Sequence, residues 1–180
     1  MGERSKARKR AVEVLYEADL REMDPRELLR ERVGSTEAPA VGDYAVTLVS
    51  GVSEHRDRID ELIVEYSEGW ALSRMPVVDR SVLRLGFFEM LWGDGIPPAV
   101  VIDEAVQLGK ALSTDDSPRF INGVLGRLAG IDERERVALR GRDTEAPAAE
   151  EGEAATAGEN YSPAESSTDV GTTGGLREGD

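Results

Sequence analysis

The sequence has no cysteine and a single histidine among its 180 residues. The absence of cysteine excludes disulfides, iron–sulfur clusters and thiol chemistry. With one histidine, a zinc site would need carboxylates for every other ligand, so we expect neither a metal nor another cofactor. The phosphate-binding glycine loop and the nucleophile elbow of common enzyme classes are also missing. These absences predict a protein that binds a partner and does not catalyse a reaction.

Long hydrophobic runs are missing as well. No stretch of 18 apolar residues occurs, although a helix that crosses a membrane needs about that length. The N-terminus is charged and lacks the apolar segment of a secretory signal. We therefore expect a soluble, cytoplasmic protein with no membrane partner.

Residues 141–180 are poor in large apolar side chains. They hold ten acidic residues and two arginines, which gives −8 of the total net charge of −14. A segment of this composition cannot bury enough apolar area to offset the entropy lost when its backbone becomes ordered. We expect residues 139–180 to form a disordered acidic tail after a folded domain at 1–138.

Strand-like alternation is absent, and the spacing of apolar residues in the folded domain is helical throughout. The pattern predicts an all-α domain of two packed helical halves, which are joined near residues 69–77. The predicted helices cover residues 4–22, 25–32 and 43–67, followed by three that begin near residues 78, 97 and 117.

Positive charge is concentrated at the start of the chain. Residues 4–10, which we call the basic arm, read RSKARKR and hold five cations in seven positions with no acidic residue. Such a density is typical of sequence-independent contacts with the phosphates of a nucleic acid. The alternative is a solvated arm that contacts no ligand.

The first predicted helix has two apolar stripes. If Ala11 and Leu15 face the core, then Val12, Tyr16 and Leu20 project to the opposite side at 100° per residue. Either the two halves of the protein enclose this helix, or Tyr16 faces a partner. That partner is a different protein or a second copy of the chain, because exposed apolar stripes mark interaction surfaces.

The segment DDSPRFINGVLGRL, residues 115–128, begins the last predicted helix. Phe120 lies about 90° from the buried face of that helix, beside Arg119. An exposed aromatic ring next to an arginine is a suitable platform for an unstacked RNA base. A place at the edge of the core is the alternative for Phe120.

Four blocks of the sequence, in order, resemble the NusB family of bacterial transcription antitermination factors. They are RKRAVEVLYEAD, VVDRSVLRLGFFEML, IPPAVVIDEAVQLGKAL and the DDSPRFINGVLGRL segment. The resemblance covers about residues 4–131, and four collinear blocks are far more specific than any one of them. It does not extend to residues 34–42 or to the acidic tail.

The resemblance implies an all-α fold of two three-helix-like bundles and a role without catalysis. That role is to bind the boxA element of nascent RNA together with the ribosomal protein NusE, in an antitermination complex on RNA polymerase during ribosomal RNA synthesis. Ser5 and Ala99 stand where some relatives carry cations. The resemblance implies that Arg4, Lys6, Arg8, Lys9, Asp116, Ser117, Arg119 and Phe120 face RNA, and that Tyr16 and Asp79 face NusE.

Two other functions remain open at this point. One is an accessory RNA-binding domain like those of ribosomal RNA cytosine methyltransferases, which resemble NusB but continue into a cofactor-binding α/β domain. The other is a helical scaffold that binds only proteins, for which the basic arm would be incidental.

Overall fold

Helices make up nearly all of the regular structure in the computed structural model, which describes residues 2–33 and 41–141. No strand occurs in these two ranges, and the predicted all-α class is confirmed. None of the helices found there is both long and apolar enough to cross a membrane. In chain order they are α1 (Glu3–Leu20), α2 (Pro25–Val33), α3 (Asp43–Glu54), α4 (Arg56–Tyr66), a 3-10 turn (Leu72–Arg74), α5 (Val77–Leu91), α6 (Pro98–Leu112), α7 (Ser117–Gly130) and α8 (Glu133–Arg140).

Helix α5 is the centre of the fold. Every side chain from Ser81 to Leu91 is buried, so this helix is covered all round rather than along one stripe. Helices α1, α2 and α3 pack together, with α1 and α3 against α5, while α6 and α7 pack against each other and against α5. The two predicted helical groups are therefore α1–α3 and α6–α7, and both pack against the central helix α5.

The continuous helix predicted for residues 43–67 is wrong. His55 has φ −104° and ψ 17°, outside the helical region, and separates α3 from α4. Its imidazole stacks on Trp92 with ring centroids 4.2 Å apart. The break lets α3 pack against α1 and α2 while α4 packs against α5 and α7.

Helix α8 was not among the predicted helices. Its first turn is capped by Asp132, whose carboxylate accepts a hydrogen bond from the Glu135 N–H at 2.9 Å. The helix ends at Arg140, so the predicted domain boundary at residue 138 falls inside it. Residues 142–180, which hold nearly all of the predicted acidic tail, lie outside the described residues, and the boundary stays a prediction.

A cluster of charged groups joins the end of α1 to α4 and α5. The Asp19 side chain is only 6 % exposed, and it accepts hydrogen bonds from Arg56 (2.7 Å), Arg80 (3.0 Å) and Arg84 (2.7 Å). Arg84 also donates two hydrogen bonds to Asp60, at 2.7 and 2.8 Å. Burial by itself would raise the pKa of the Asp19 carboxyl, but the guanidiniums around it outweigh burial and lower that pKa below its ordinary value.

We expect Asp19→Asn to lower the free energy of unfolding at pH 7 by about 3 kcal/mol, because it removes the charge that balances buried guanidiniums. The folded pKa lies below the unfolded one, so the carboxylate stabilises the fold above about pH 4 and loses this effect as the pH falls through the folded pKa. Urea denaturation at pH 7 and at pH 3 measures the free energy of unfolding of both proteins. The difference between Asp19→Asn and the unmodified protein should be smaller at pH 3 than at pH 7. Asp103→Asn, an exposed control, should change stability by less than about 0.5 kcal/mol. An equal difference at both pH values would contradict the assignment.

Candidate nucleic-acid interface

The basic arm forms the first two turns of α1. Arg4 and Lys6 are exposed, and Lys9 and Arg10 are half-buried. Two of these cations pair with acids on the same helix: Lys6 with Glu3 at 2.9 Å, and Arg10 with Glu13. Ion pairs at the protein surface contribute little free energy, so the arm can exchange them for phosphates.

Arg8 departs from the position expected of a residue that faces RNA. It is 3 % exposed, and its Nε lies 3.0 Å from both carboxylate oxygens of Glu89, which is itself buried. Glu104 is a second, more distant partner, 3.7 Å from Nη1. The signal was present in the sequence, because Arg8 precedes Ala11 and Leu15 by three and seven residues and so shares their buried face. In the folded protein Arg8 holds the arm against α5.

Further contacts fix the arm to the body of the protein. The Tyr44 hydroxyl donates a hydrogen bond to Glu89 (2.8 Å), and the guanidinium of Arg4 lies 5.4 Å from the Tyr44 ring centroid, within cation–π distance. Burial, followed by the charge of Glu89, raises the pKa of Tyr44 to about 12. Ser5 donates to Glu104 at 2.7 Å. These bonds give the exposed cations a rigid base.

Asp79 and Ser117 are also buried, at 2 % and 1 % exposure. The Ser117 hydroxyl donates to Asp79 at 2.8 Å and accepts from the Thr114 N–H at 3.2 Å. This network ties the start of α7 to the start of α5. Neither side chain presents a surface to RNA or to a partner protein, in contrast to the expectation, and both instead position the residues that follow Ser117.

The remaining residues at the start of α7 are accessible. Asp116 and Arg119 are exposed, and Phe120 is half-buried. The Phe120 ring meets Trp70 edge to face, with centroids 4.7 Å apart and planes at 71°. Phe120 therefore lies at the edge of the core and is also partly accessible. Its position combines the two interpretations of its spacing, a residue of the core edge and a platform for a base.

The basic arm and the start of α7 lie at opposite ends of α5. Arg8 bonds to Glu89 and Ser117 bonds to Asp79, and these two partners are ten positions apart, or about 15 Å along the helix. The candidate residues therefore do not form one compact pocket. Helix α6 contacts the arm through Glu104 and packs against α7, and it exposes the cation Lys110. The helical pattern of the sequence does not distinguish this single lysine as a candidate. An extended ligand suits this arrangement better than a compact one.

The second stripe of α1 is divided in the structure. Val12 is 1 % exposed, whereas Tyr16 is 37 % exposed and Leu20 57 %. The core thus encloses the start of the stripe and leaves its end in solvent. Tyr16 and Leu20 are available to a partner protein.

Comparison with known proteins decides the family. A model of the NusB family matches residues 5–130, which is most of the chain. The chain belongs to the NusB family. The resemblance predicted from the four sequence blocks is confirmed.

Individual NusB proteins are similar over nearly their whole length. The transcription antitermination protein NusB of Saccharopolyspora erythraea is 68 % identical over 142 residues, which cover 78 % of this chain and 96 % of that protein. The structure of NusB from T. maritima has a TM-score of 0.65 and 34 % identity, covering 76 % of this chain and 97 % of that one. A crystal structure of the antitermination factors NusB and NusE in complex with dsRNA has a TM-score of 0.61 and 32 % identity, covering 70 % and 95 %.

Adjacent cations of the arm should differ sharply in what they contribute to stability. We expect Arg8→Ala to lower the free energy of unfolding by about 3 kcal/mol, because Glu89 would stay buried without its main partner. Lys9→Ala, the matched control on the same turn, should change it by less than about 0.5 kcal/mol. Denaturant unfolding followed by circular dichroism measures both. Equal effects of the two substitutions would show that the Arg8 ion pair does not anchor the arm.

Proposed function

We propose that this chain is a transcription antitermination factor that binds boxA-type single-stranded RNA in nascent transcripts, ribosomal RNA among them, together with NusE. In this way it helps to assemble an antitermination complex on RNA polymerase in the cytoplasm. Membership of the NusB family supports the proposal, as does the likeness to NusB in a complex that holds both NusE and RNA. The role needs binding alone and no catalysis.

The observation that carries the proposal is the way in which the arm is built. Arg8 is held by Glu89, and Ser5 by Glu104, so that Arg4, Lys6 and Lys9 project from a fixed helix. A preorganised set of cations loses less conformational entropy on binding than a flexible arm does. The separation of the arm from the start of α7 favours an extended strand, which can contact both.

Binding to boxA-type RNA should depend strongly on salt. Four accessible candidate cations (Arg4, Lys6, Lys9 and Arg119) would each release about 0.7 counterion from a single strand, so affinity should fall about 50-fold between 50 and 200 mM salt. Fluorescence anisotropy of labelled single-stranded RNA, with and without NusE, measures the slope. Replacing Lys6 and Lys9 by Ala together should reduce the slope by about 1.4, whereas Arg134→Ala, an exposed control on α8, should leave it unchanged. No binding at 50 mM under either condition would refute the proposed function.

Tyr16→Ala should weaken NusE binding about tenfold, because exposed tyrosines are frequent anchors of protein interfaces. RNA binding in the absence of NusE should change little. Val100, which is 44 % exposed on α6, provides an apolar control, and Val100→Ala should leave NusE binding intact. Calorimetric titration with NusE measures the first effect, and anisotropy measures the second. Equal losses in both assays would show that Tyr16 supports the fold and not the contact with NusE. Sedimentation of the free protein tests whether a second copy of the chain covers this surface.

A further inference from the structure

We propose that Trp70 is an additional RNA-contacting residue, whose indole ring stacks against an unpaired base at the site that begins with Arg119 and Phe120. The inference rests on the proposed RNA-binding function and adds to it an aromatic residue that the family resemblance did not supply. It commits to a base of single-stranded RNA as the occupant. A partner protein on the same surface is an outcome that the experiment below can detect.

Exposure first distinguishes Trp70. It is 41 % exposed, and Tyr16 at 37 % is the other aromatic side chain of comparable exposure among residues 2–33 and 41–141. The remaining aromatic side chains in these ranges are half-buried or buried. Indole combines a large apolar ring with a polar N–H, a combination that is frequent where a protein surface contacts a ligand.

The backbone around Trp70 is held in place although the side chain is exposed. The Trp70 N–H donates to the Ser67 carbonyl (3.3 Å), and the Ser67 hydroxyl donates to the Trp70 carbonyl (3.3 Å). Arg127 of α7 donates to the Tyr66 carbonyl at 2.9 Å. Glu68 has φ +60°, a left-handed conformation that costs free energy for a residue other than glycine. These contacts hold the backbone that carries Trp70, and the Phe120 ring contacts its side chain.

Trp70 and Phe120 together offer two ring surfaces at a steep angle. Their planes meet at 71° with centroids 4.7 Å apart, so the edge of one ring touches the face of the other and leaves the indole partly open. Stacking on aromatic side chains is available to every base, because each has a π-face.

The charges near this pair suit a strand that passes across it. Arg119 is exposed next to Phe120, and Arg74 is exposed four residues after Trp70. Glu68 is balanced by Arg127, with 2.7 Å between the charged groups. Asp115 and Asp116, both exposed, precede Ser117, so positive charge alone does not mark the site. The arginines can reach phosphates on either side of a stacked base, while stacking supplies the contact that charge does not.

The chain offers a direct test, because it has two tryptophans. Trp92 is half-buried and stacked on His55, so it serves as the matched control. Single-stranded boxA-type RNA is titrated at 50 mM salt into Trp92→Phe, which keeps Trp70, and into Trp70→Phe, which keeps Trp92. The RNA should strongly quench the tryptophan fluorescence of Trp92→Phe and leave that of Trp70→Phe unchanged. The same RNA annealed to its complement should quench neither, because its bases are already stacked and paired.

Affinity provides the second readout. We expect Trp70→Ala to weaken binding of the single strand about tenfold, and Trp70→Phe to retain most of the affinity because a ring remains. Circular dichroism checks that the helices persist. If Trp70→Ala fails to fold, the quenching experiment on Trp92→Phe decides the inference by itself.

The outcomes separate this inference from the proposed function. If the unmodified protein does not bind the RNA, both are overturned. If it binds with the expected salt dependence but Trp70 is not quenched, the inference alone is overturned. Quenching of Trp70 by NusE without RNA, after subtraction of NusE emission, would assign the surface to protein docking and also overturn the inference. Quenching by the single strand together with the loss in Trp70→Ala supports it.

Discussion

The structure depends on the pairing of charged side chains that α5 carries into the core. A helix covered on all sides would ordinarily be apolar throughout, yet Arg84 and Glu89 are buried on α5, and Asp79 is buried near its start. A buried charge is very costly unless it is paired and hydrogen-bonded. Packing of the other helices brings an oppositely charged side chain to Arg84 and to Glu89, whereas Asp79 accepts a hydrogen bond from the neutral Ser117 hydroxyl through Oδ2 and its buried Oδ1 has no hydrogen-bond partner.

Two of these contacts fix α1 against α5, and the third fixes the start of α7. Arg84 binds Asp19 at the end of α1, and Glu89 binds Arg8 at its start. Since the two contacts are on the same two helices, they set the register of α1 along α5. Asp79 adds the start of α7 through Ser117. Ion pairs and hydrogen bonds in the core, rather than contacts at the surface, thus determine where the basic arm and the Trp70–Phe120 pair lie.

Local pattern explains how much of this could be predicted. Helical spacing and the four family blocks were sufficient for the all-α class and for the family. Spacing could not reveal the break at His55, because one non-helical residue barely disturbs a period of 3.6 and the stacking on Trp92 is a tertiary contact. The family resemblance implied that Arg8 faces RNA, whereas its direction on the helix points to the core, where it is buried.

Contacts between distant segments explain the rest. Trp70 lies outside any helix, so no periodicity assigns it a face, and its contact with Phe120 joins residues 50 positions apart. Burial of Ser117 could not be inferred either, since a serine at the start of a helix is usually accessible as a cap. Its partner Asp79 is a neighbour only because α7 packs against α5.

The two ends of the candidate interface rely on different physics, which resolves the apparent conflict between a net charge of −14 and an anionic ligand. At physiological ionic strength the Debye length is about 8 Å, so a phosphate beside Arg4 and Lys6 is governed by those cations and hardly by acids elsewhere. Stacking on Trp70 and Phe120 involves no net charge and is not screened by salt. High salt should therefore weaken the phosphate contacts of the basic arm and of Arg119 and preserve stacking on the aromatic pair, so the affinity that remains at high salt reflects mainly the aromatic contribution.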